Sequence, residues 1–164
     1  MIDLALLTPP VTALAGALRH RGWRLSVAES CTGGLVSAAC TSLAGASDWF
    51  ERGFVTYSNQ AKCQQLGVDA ALIAQHGAVS REVALAMVAG ALAHSPAEIA
   101  LAVTGIAGPD GAVPGKPVGT VWLALMLRGG VPLAERLQLT GDRASVRAQT
   151  VLVALQRARA LCEA

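Results

Sequence analysis

The 164-residue chain carries 13 Lys and Arg against 11 Asp and Glu, a formal charge of +2, and 53% of its residues are hydrophobic. That length and apolar content build one compact domain, expected over residues 1–164, and 15% charged residues are too few for a disordered chain. Every apolar run stops short of the roughly 18 residues a membrane span needs, and the opening MIDLALLTPPVTAL lacks the basic flank and cleavage site of a secretory signal.

Residues 10–20 (PVTALAGALRH) have helical spacing with Pro at the start, and Gly22 ends the run. Arg24 to Ala28 (RLSVA) alternates like a short strand and leads into Glu29-Ser30-Cys31-Thr32-Gly33-Gly34, after which Leu35 to about Ser42 reads as a helix. Beyond the loop Ala44 to Asp48, Glu51 to Tyr57 (ERGFVTY) is rich in β-branched and aromatic residues and reads as a strand. Gln60 to Leu66 and Asp69 to His76 read as short helices, and Ser80 caps a longer one over Arg81 to His94. Glu98 to Val103 (EIALAV) suits a buried strand, and Thr104 to Gly119 is a long glycine- and proline-rich loop of the kind that serves function. Thr120 to Leu127 and Leu133 to Leu139 pair across Arg128-Gly129-Gly130 as an antiparallel hairpin, and Asp142 caps a last helix from about Arg143 to the end.

The order α-β-α-β-α-α-β-β-β-α predicts an α/β fold: a single three-layer domain with helices packed on both faces of a mixed β-sheet. Ligands in such folds gather outside the carboxyl ends of strands. Three motifs fall there: ESCTGG after the first strand, YSN after the second and TGIAGPDG after the third.

The arginines are scattered, with the densest group only Arg19, Arg21 and Arg24, so neither nucleic acid nor a membrane is an expected partner. Cys31, Cys40, Cys63 and Cys162 form no CxxC pair and no Cys/His ligand spacing, which points to a reducing cytoplasm and to no metal or other cofactor. The apolar excess suggests a homo-oligomer, with a dimer as the commonest form.

In Ser30-Cys31-Thr32-Gly33-Gly34, a helix N-terminus with paired glycines offers unpaired amides to an anion or oxyanion, and Ser30 would place its hydroxyl beside them. The same residues also read as a plain helix cap with packing glycines. Cys31 is a rival nucleophile, because a helix N-terminus can lower a thiol pKa. His20, His76 and His94 all fall near predicted helix C-termini, where an imidazole offsets the dipole, so they suit a structural role. The remaining base is a lysine. The chain has two lysines against eleven arginines, and an amine can lose its proton where a guanidinium cannot. Lys62 lies one helical turn beyond Tyr57 to Asn59 in YSNQAK, whereas Lys116 sits in GAVPGKPVG as a solvated or ligand-gating residue.

The segments VAESCTGGLVSAACTSLAGASDWFERGFVTYSNQAKCQQLGV, GAVSREVALAMVAGA, AVTGIAGPDGAVPGKPVGTVWLA and LTGDRASVR resemble the CinA C-terminal domain family, which includes nicotinamide mononucleotide (NMN) deamidases. The resemblance spans about residues 10 to 160. It implies the stand-alone form, without the molybdopterin-related N-terminal domain of longer relatives, and metal-free hydrolysis of the NMN carboxamide to nicotinate mononucleotide and ammonia. The family's serine falls on Ser30, its lysine on Lys62, and its tyrosine on Tyr57. Its acidic residue falls on Glu29, its threonine on Thr104 and its arginine on Arg143.

The implied mechanism has Ser30 attack the amide while neutral Lys62 takes its proton and Tyr57 orients Lys62 or relays the proton. The amides of Thr32, Gly33 and Gly34 are the expected oxyanion donors. Glu29 points away from Lys62 by strand alternation and, with Asn59, completes the substrate-binding set. Thr104, Gly105 and the amides up to Gly108 serve ribose and phosphate together with Arg143. Against this stand glycines that only shape turns and an Arg143 paired with Glu135 or Asp142. A non-catalytic nucleotide-binding module and a competence- or damage-related accessory protein are the alternative functions.

Overall fold

The computed structural model describes residues 4–164; residues 1–3, the start of the expected domain and of the opening segment weighed as a signal, lie outside the described residues. Helix α1 (Thr8–Arg21) has Pro in its first turn, where a missing N–H leaves no helical bond unmade, and ends on left-handed Gly22. Strand β1 (Leu25–Glu29) follows, then α2 (Leu35–Thr41), β2 (Phe50–Val55), α3 (Asn59–Leu66), α4 (Ala70–His76) and α5 (Arg81–Ala93). The chain closes with β3 (Ile99–Gly105), β4 (Thr120–Leu127), β5 (Leu133–Gln138) and α6 (Arg143–Glu163). Every expected element is present with its ends shifted by one or two residues, and two short 3-10 turns at Leu4–Leu7 and Ala46–Asp48 are additions.

The sheet runs β2-β1-β3-β4-β5, with β2, β1 and β3 mutually parallel and β4 and β5 antiparallel to their neighbours. Alternation along the central strand β3 sorts its side chains by size. Ile99, Leu101 and Val103 join Leu14 and Leu18 of α1, Val36 of α2 and Val151 and Leu155 of α6 in one core. Ala100 and Ala102, with Ala28 and Ala124, face the second core under Met87 and Val88 of α5, where small side chains let that helix lie close to the sheet. Both faces are covered, so the three-layer α/β architecture is what the chain adopts.

Close approach recurs between helices. A Cβ at Gly90 of α5 would run into the carbonyl oxygen of Leu66, so glycine is what allows α5 to cross the end of α3 at backbone contact. The link from β1 to β2 uses α2 on one face, and the link from β2 to β3 uses α3, α4 and α5 on the other. Where successive connections leave on opposite faces, the strand ends open into a crevice, here at the carboxyl ends of β1 and β3.

Candidate active site

Strand pleating sends the last residue of β1 and the residue after it to opposite sides. Glu29 turns toward α2 and is fully buried. Its Oε2 accepts from Thr32 Oγ1 (2.6 Å), Gly34 N (3.1 Å) and Val36 N (3.0 Å), and its Oε1 from Ser37 N (2.8 Å) and Ser37 Oγ (2.7 Å). The N-cap position of α2 is Gly34, which has no side chain, so the Glu29 carboxylate takes the amides a helix start leaves open and meets the positive end of the helix dipole.

This arrangement corrects two expectations. Glu29 faces the protein framework, and no part of it lines the cleft. The amide of Gly34 is committed to Glu29 and that of Gly33 to Ser30 O (3.0 Å), so neither is free for an oxyanion. Gly33 (φ 59) and Gly34 (φ 96) are both left-handed, and the tight turn after Ser30 is what requires them. The amides of Cys31 and Thr32 donate to no backbone carbonyl and to no side chain of another residue among the described residues, and that of Cys31 lies by its own thiol.

Ser30 turns the other way, and its Oγ lies 2.9 Å from Lys62 Nζ. Ser58 caps α3 by accepting from Ala61 N (3.0 Å), which places Lys62 in the first helical turn. Side chains on a helix lean toward its N-terminus, so the Lys62 amine reaches back over the β2–α3 junction. There Nζ donates to Thr56 O (2.8 Å) and, at 3.4 Å, to Tyr57 O. Thr56 is itself fastened to β1, donating from N (2.8 Å) and Oγ1 (3.3 Å) to Glu29 O.

Lys62 is 1% exposed, and burial holds its amine below the usual lysine pKa, while the thiols of Cys31 and Cys63 act weakly in the opposite sense. Burial also pushes the Cys31 thiol up to about 11, outweighing its own backbone amide and the nearby charges of Arg147 and Lys62, which would lower it. Cys31 is therefore poorly suited as a nucleophile, which corrects that rival reading.

The Ser30–Lys62 pair sits at the base of a cleft of about 210 Å³. Of the residues singled out from the sequence, Tyr57, Asn59, Thr104, Gly105 and Arg143 line it, whereas Glu29, Thr32, Gly33 and Gly34 do not. Ala78, Val79 and Ala107 also line it and carry no chemical signal that a sequence could flag. Thr104 Oγ1 donates to Ala78 O (2.9 Å), tying the end of β3 to the wall made by Ala78 and Val79. Gly105 has no room for a side chain, because a Cβ would lie 2.9 Å from Thr120 O. A larger hollow of about 700 Å³ beside α1 and the end of α6 is lined by Cys162, His20 and Glu163, but no hydrogen bond joins these three and burial pushes the Cys162 thiol up to about 11.

Tyr57 is 60% exposed, and its hydroxyl accepts from Arg143 Nη2 (2.9 Å), while Arg143 Nη1 donates to Gly108 O (2.9 Å). The phenol thus faces Arg143 and only the Tyr57 carbonyl approaches Lys62, which corrects the expected proton relay. Nor does Arg143 pair with Glu135 or Asp142: Glu135 is held by Arg157 at 2.8 and 2.9 Å, and Asp142 caps α6 through Ser145 N (2.8 Å). Lys116 Nζ donates to His76 O (2.8 Å) and stands outside the cleft. His94 Nδ1 lies 2.8 Å from Gly90 O and His76 beside Glu82, in keeping with structural roles.

Arg147 closes the LTGDRASVR block, where it is not singled out as a site residue, and its Nη2 donates to Thr32 O (2.7 Å) in the turn behind Ser30. Among the described residues no group of three or more His, Cys, Asp or Glu is placed to hold a metal ion, and no helix is long and apolar enough to cross a membrane.

The family model for the CinA C-terminal domain matches residues 8–162. The chain is 51% identical over 140 residues, 85% of each protein, to the nicotinamide-nucleotide amidohydrolase PncC of Escherichia coli (strain K12). It is 53% identical over 149 residues to the PncC of Pseudomonas putida, covering 91% of this chain and 92% of that one. A crystal structure of a CinA superfamily protein from Klebsiella pneumoniae superposes with a TM-score of 0.92 at 40% identity, covering 96% of this chain and 98% of the other. The competence/damage inducible protein CihA of Agrobacterium tumefaciens does so with a TM-score of 0.91 at 44% identity over 94% of each chain. With fold, sequence blocks and family model in agreement along nearly its whole length, the chain belongs to the CinA C-terminal domain family.

Proposed function

We propose that this protein is a nicotinamide-nucleotide amidohydrolase that converts NMN to nicotinate mononucleotide and ammonia through a Ser30–Lys62 acyl-enzyme. The activity rests on relatives of that name at about half identity over most of both chains. The mechanism rests on one observation, the buried lysine amine 2.9 Å from the serine hydroxyl.

A neutral amine has two N–H donors and one lone pair. With Thr56 O and Tyr57 O taking the donors, the lone pair is left for the Ser30 hydroxyl proton. Ser30 Oγ attacks the carboxamide carbon as Lys62 accepts that proton, giving a tetrahedral oxyanion. The amides of Cys31 and Thr32 are the donors that can receive it. Collapse breaks the C–N bond, Lys62 returns the proton to the departing nitrogen, and ammonia leaves an ester on Ser30. Lys62 then takes a proton from water as it attacks the ester, and returns that proton to Ser30 Oγ as the ester C–O bond breaks, releasing nicotinate mononucleotide and restoring the serine hydroxyl and the neutral amine. Arg143, held at the cleft mouth by two exchangeable hydrogen bonds, is the cation for the substrate phosphate. Thr104, Gly105 and Asn59 border the ribose path. The four free thiols are consistent with a cytoplasmic setting, and a homodimer is the proposed assembly.

The test is ammonia release from NMN by the purified protein, beside Ser30→Ala and Lys62→Met. Both variants are expected to fold and to lose at least about 10³-fold in kcat. NMN binding by the unaltered protein without ammonia release would leave a nucleotide-binding module in place of the enzyme.

A further inference from the structure

The Ser30 turn is gripped by two full charges of opposite sign. Gly33 N donates to Ser30 O, which closes a tight turn over Ser30 to Gly33 ahead of α2, with Gly33 and Gly34 left-handed. In that turn the amides of Cys31 and Thr32 donate to no backbone carbonyl, and Cys31 lines the cleft beside Ser30. Their direction depends on how Thr32 is held. Its hydroxyl is fixed by Glu29 at 2.6 Å and its carbonyl by Arg147 Nη2 at 2.7 Å.

Two further observations concern Arg147. Thr32 O already accepts from Leu35 N (3.2 Å), so the carbonyl does not lack a partner without the arginine. Arg147 is half-buried, and its Nε is buried with no partner among the described residues, a cost that support of one carbonyl alone would not explain. Electrostatics supplies a reason. Glu29 immediately precedes the nucleophile and is paired with no Lys or Arg among the described residues, so its negative charge opposes an oxyanion forming at Ser30. A guanidinium bound to Thr32 O offsets that field.

We infer that Arg147 is a positioning residue for the deamidation: its guanidinium fixes the Thr32–Gly33 peptide so that the Cys31 and Thr32 amides face the developing oxyanion, and its charge offsets that of Glu29. The inference rests on the Ser30 nucleophile proposed above. It does not rest on NMN being the substrate.

The experiment pairs NMN kinetics with the rate at which a small alkyl fluorophosphonate labels Ser30, since labelling needs the nucleophile and its oxyanion donors but not the natural substrate. Arg147→Met is expected to lower both kcat and the labelling rate at least about tenfold, with KM changed less than about threefold. Arg147→Lys should retain an intermediate rate, and millimolar guanidinium should restore much of the loss in Arg147→Ala at an unchanged unfolding temperature. Wild-type rates in a folded Arg147→Met overturn the inference. So does a loss that tracks unfolding and resists guanidinium, because that is what mere support predicts. Wild-type protein that labels on Ser30 but leaves NMN intact overturns the substrate and leaves Arg147 testable by labelling. Failure of the wild type to label overturns the nucleophile and this inference with it.

Discussion

A lysine serves as a base only when its proton is absent, and the burial of Lys62 shifts its amine toward that form. Burial lowers its pKa, so kcat/KM is expected to rise with pH as Lys62 deprotonates and to level off at a midpoint below the ordinary 10.5 of lysine. A pH profile of ammonia release checks this, and an acid limb centred at or above 10.5 would remove Lys62 as the base. Glu29 works by the opposite logic, since only an acceptor suits its pocket. Glu29→Gln keeps the shape but turns an N–H toward amide and hydroxyl donors, and is expected to cost about 3 kcal/mol in chemical unfolding. The Ser-Lys pairing is legible from residue types, because two lysines among eleven arginines and a serine at a strand-to-helix turn narrow the choice. The role of Glu29 is not, because a capping carboxylate five residues before the N-cap is recognised only once the turn closes.

At the scale of elements, the site depends on where α3 is pinned. Ser58 starts the helix, Thr56 fastens its leading loop to β1, and Gly90 lets α5 press on its far end. Gly90→Ala would gain about 1 kcal/mol of helix propensity, yet its methyl would collide with Leu66 O. We expect a net loss of about 1–3 kcal/mol in unfolding free energy and a fall in kcat exceeding any change in KM, as α3 carries Lys62 away from Ser30. Apolar spacing and turn residues mark the elements well in this sequence, since caps such as Ser80 and Asp142 and stops such as Gly22 sit where the helices begin and end. Crossing distances are not marked, because they follow from which glycine meets which backbone.

Across the whole molecule, folding places an amine in a site where its charged form is disfavoured. With the folded-state pKa of Lys62 depressed, the unfolded chain binds more protons between that pKa and 10.5, so this group's contribution to stability improves as pH rises through the window. Lys62→Met is accordingly expected to unfold at a higher temperature than the wild type at pH 7, with the gap closing as pH approaches 10.5. Calorimetry across that range checks the sign, and a gap that widens with pH would contradict a depressed lysine. The same global arrangement joins Tyr57 to Arg143 across 86 positions and Ser30 to Lys62 across 32.

Local chemistry is written residue by residue, so the sequence by itself determined the alternation of strands and helices, the three strand-end motifs and the serine and lysine. The tertiary structure alone decided which amides remain free, which way Tyr57 and Arg143 face, and that Cys31 is quenched by burial. Each of those depends on a partner brought in from elsewhere in the chain. A hydrogen bond or a desolvated charge is a property of the packed neighbourhood, and the β2-β1-β3 order of the sheet creates that neighbourhood.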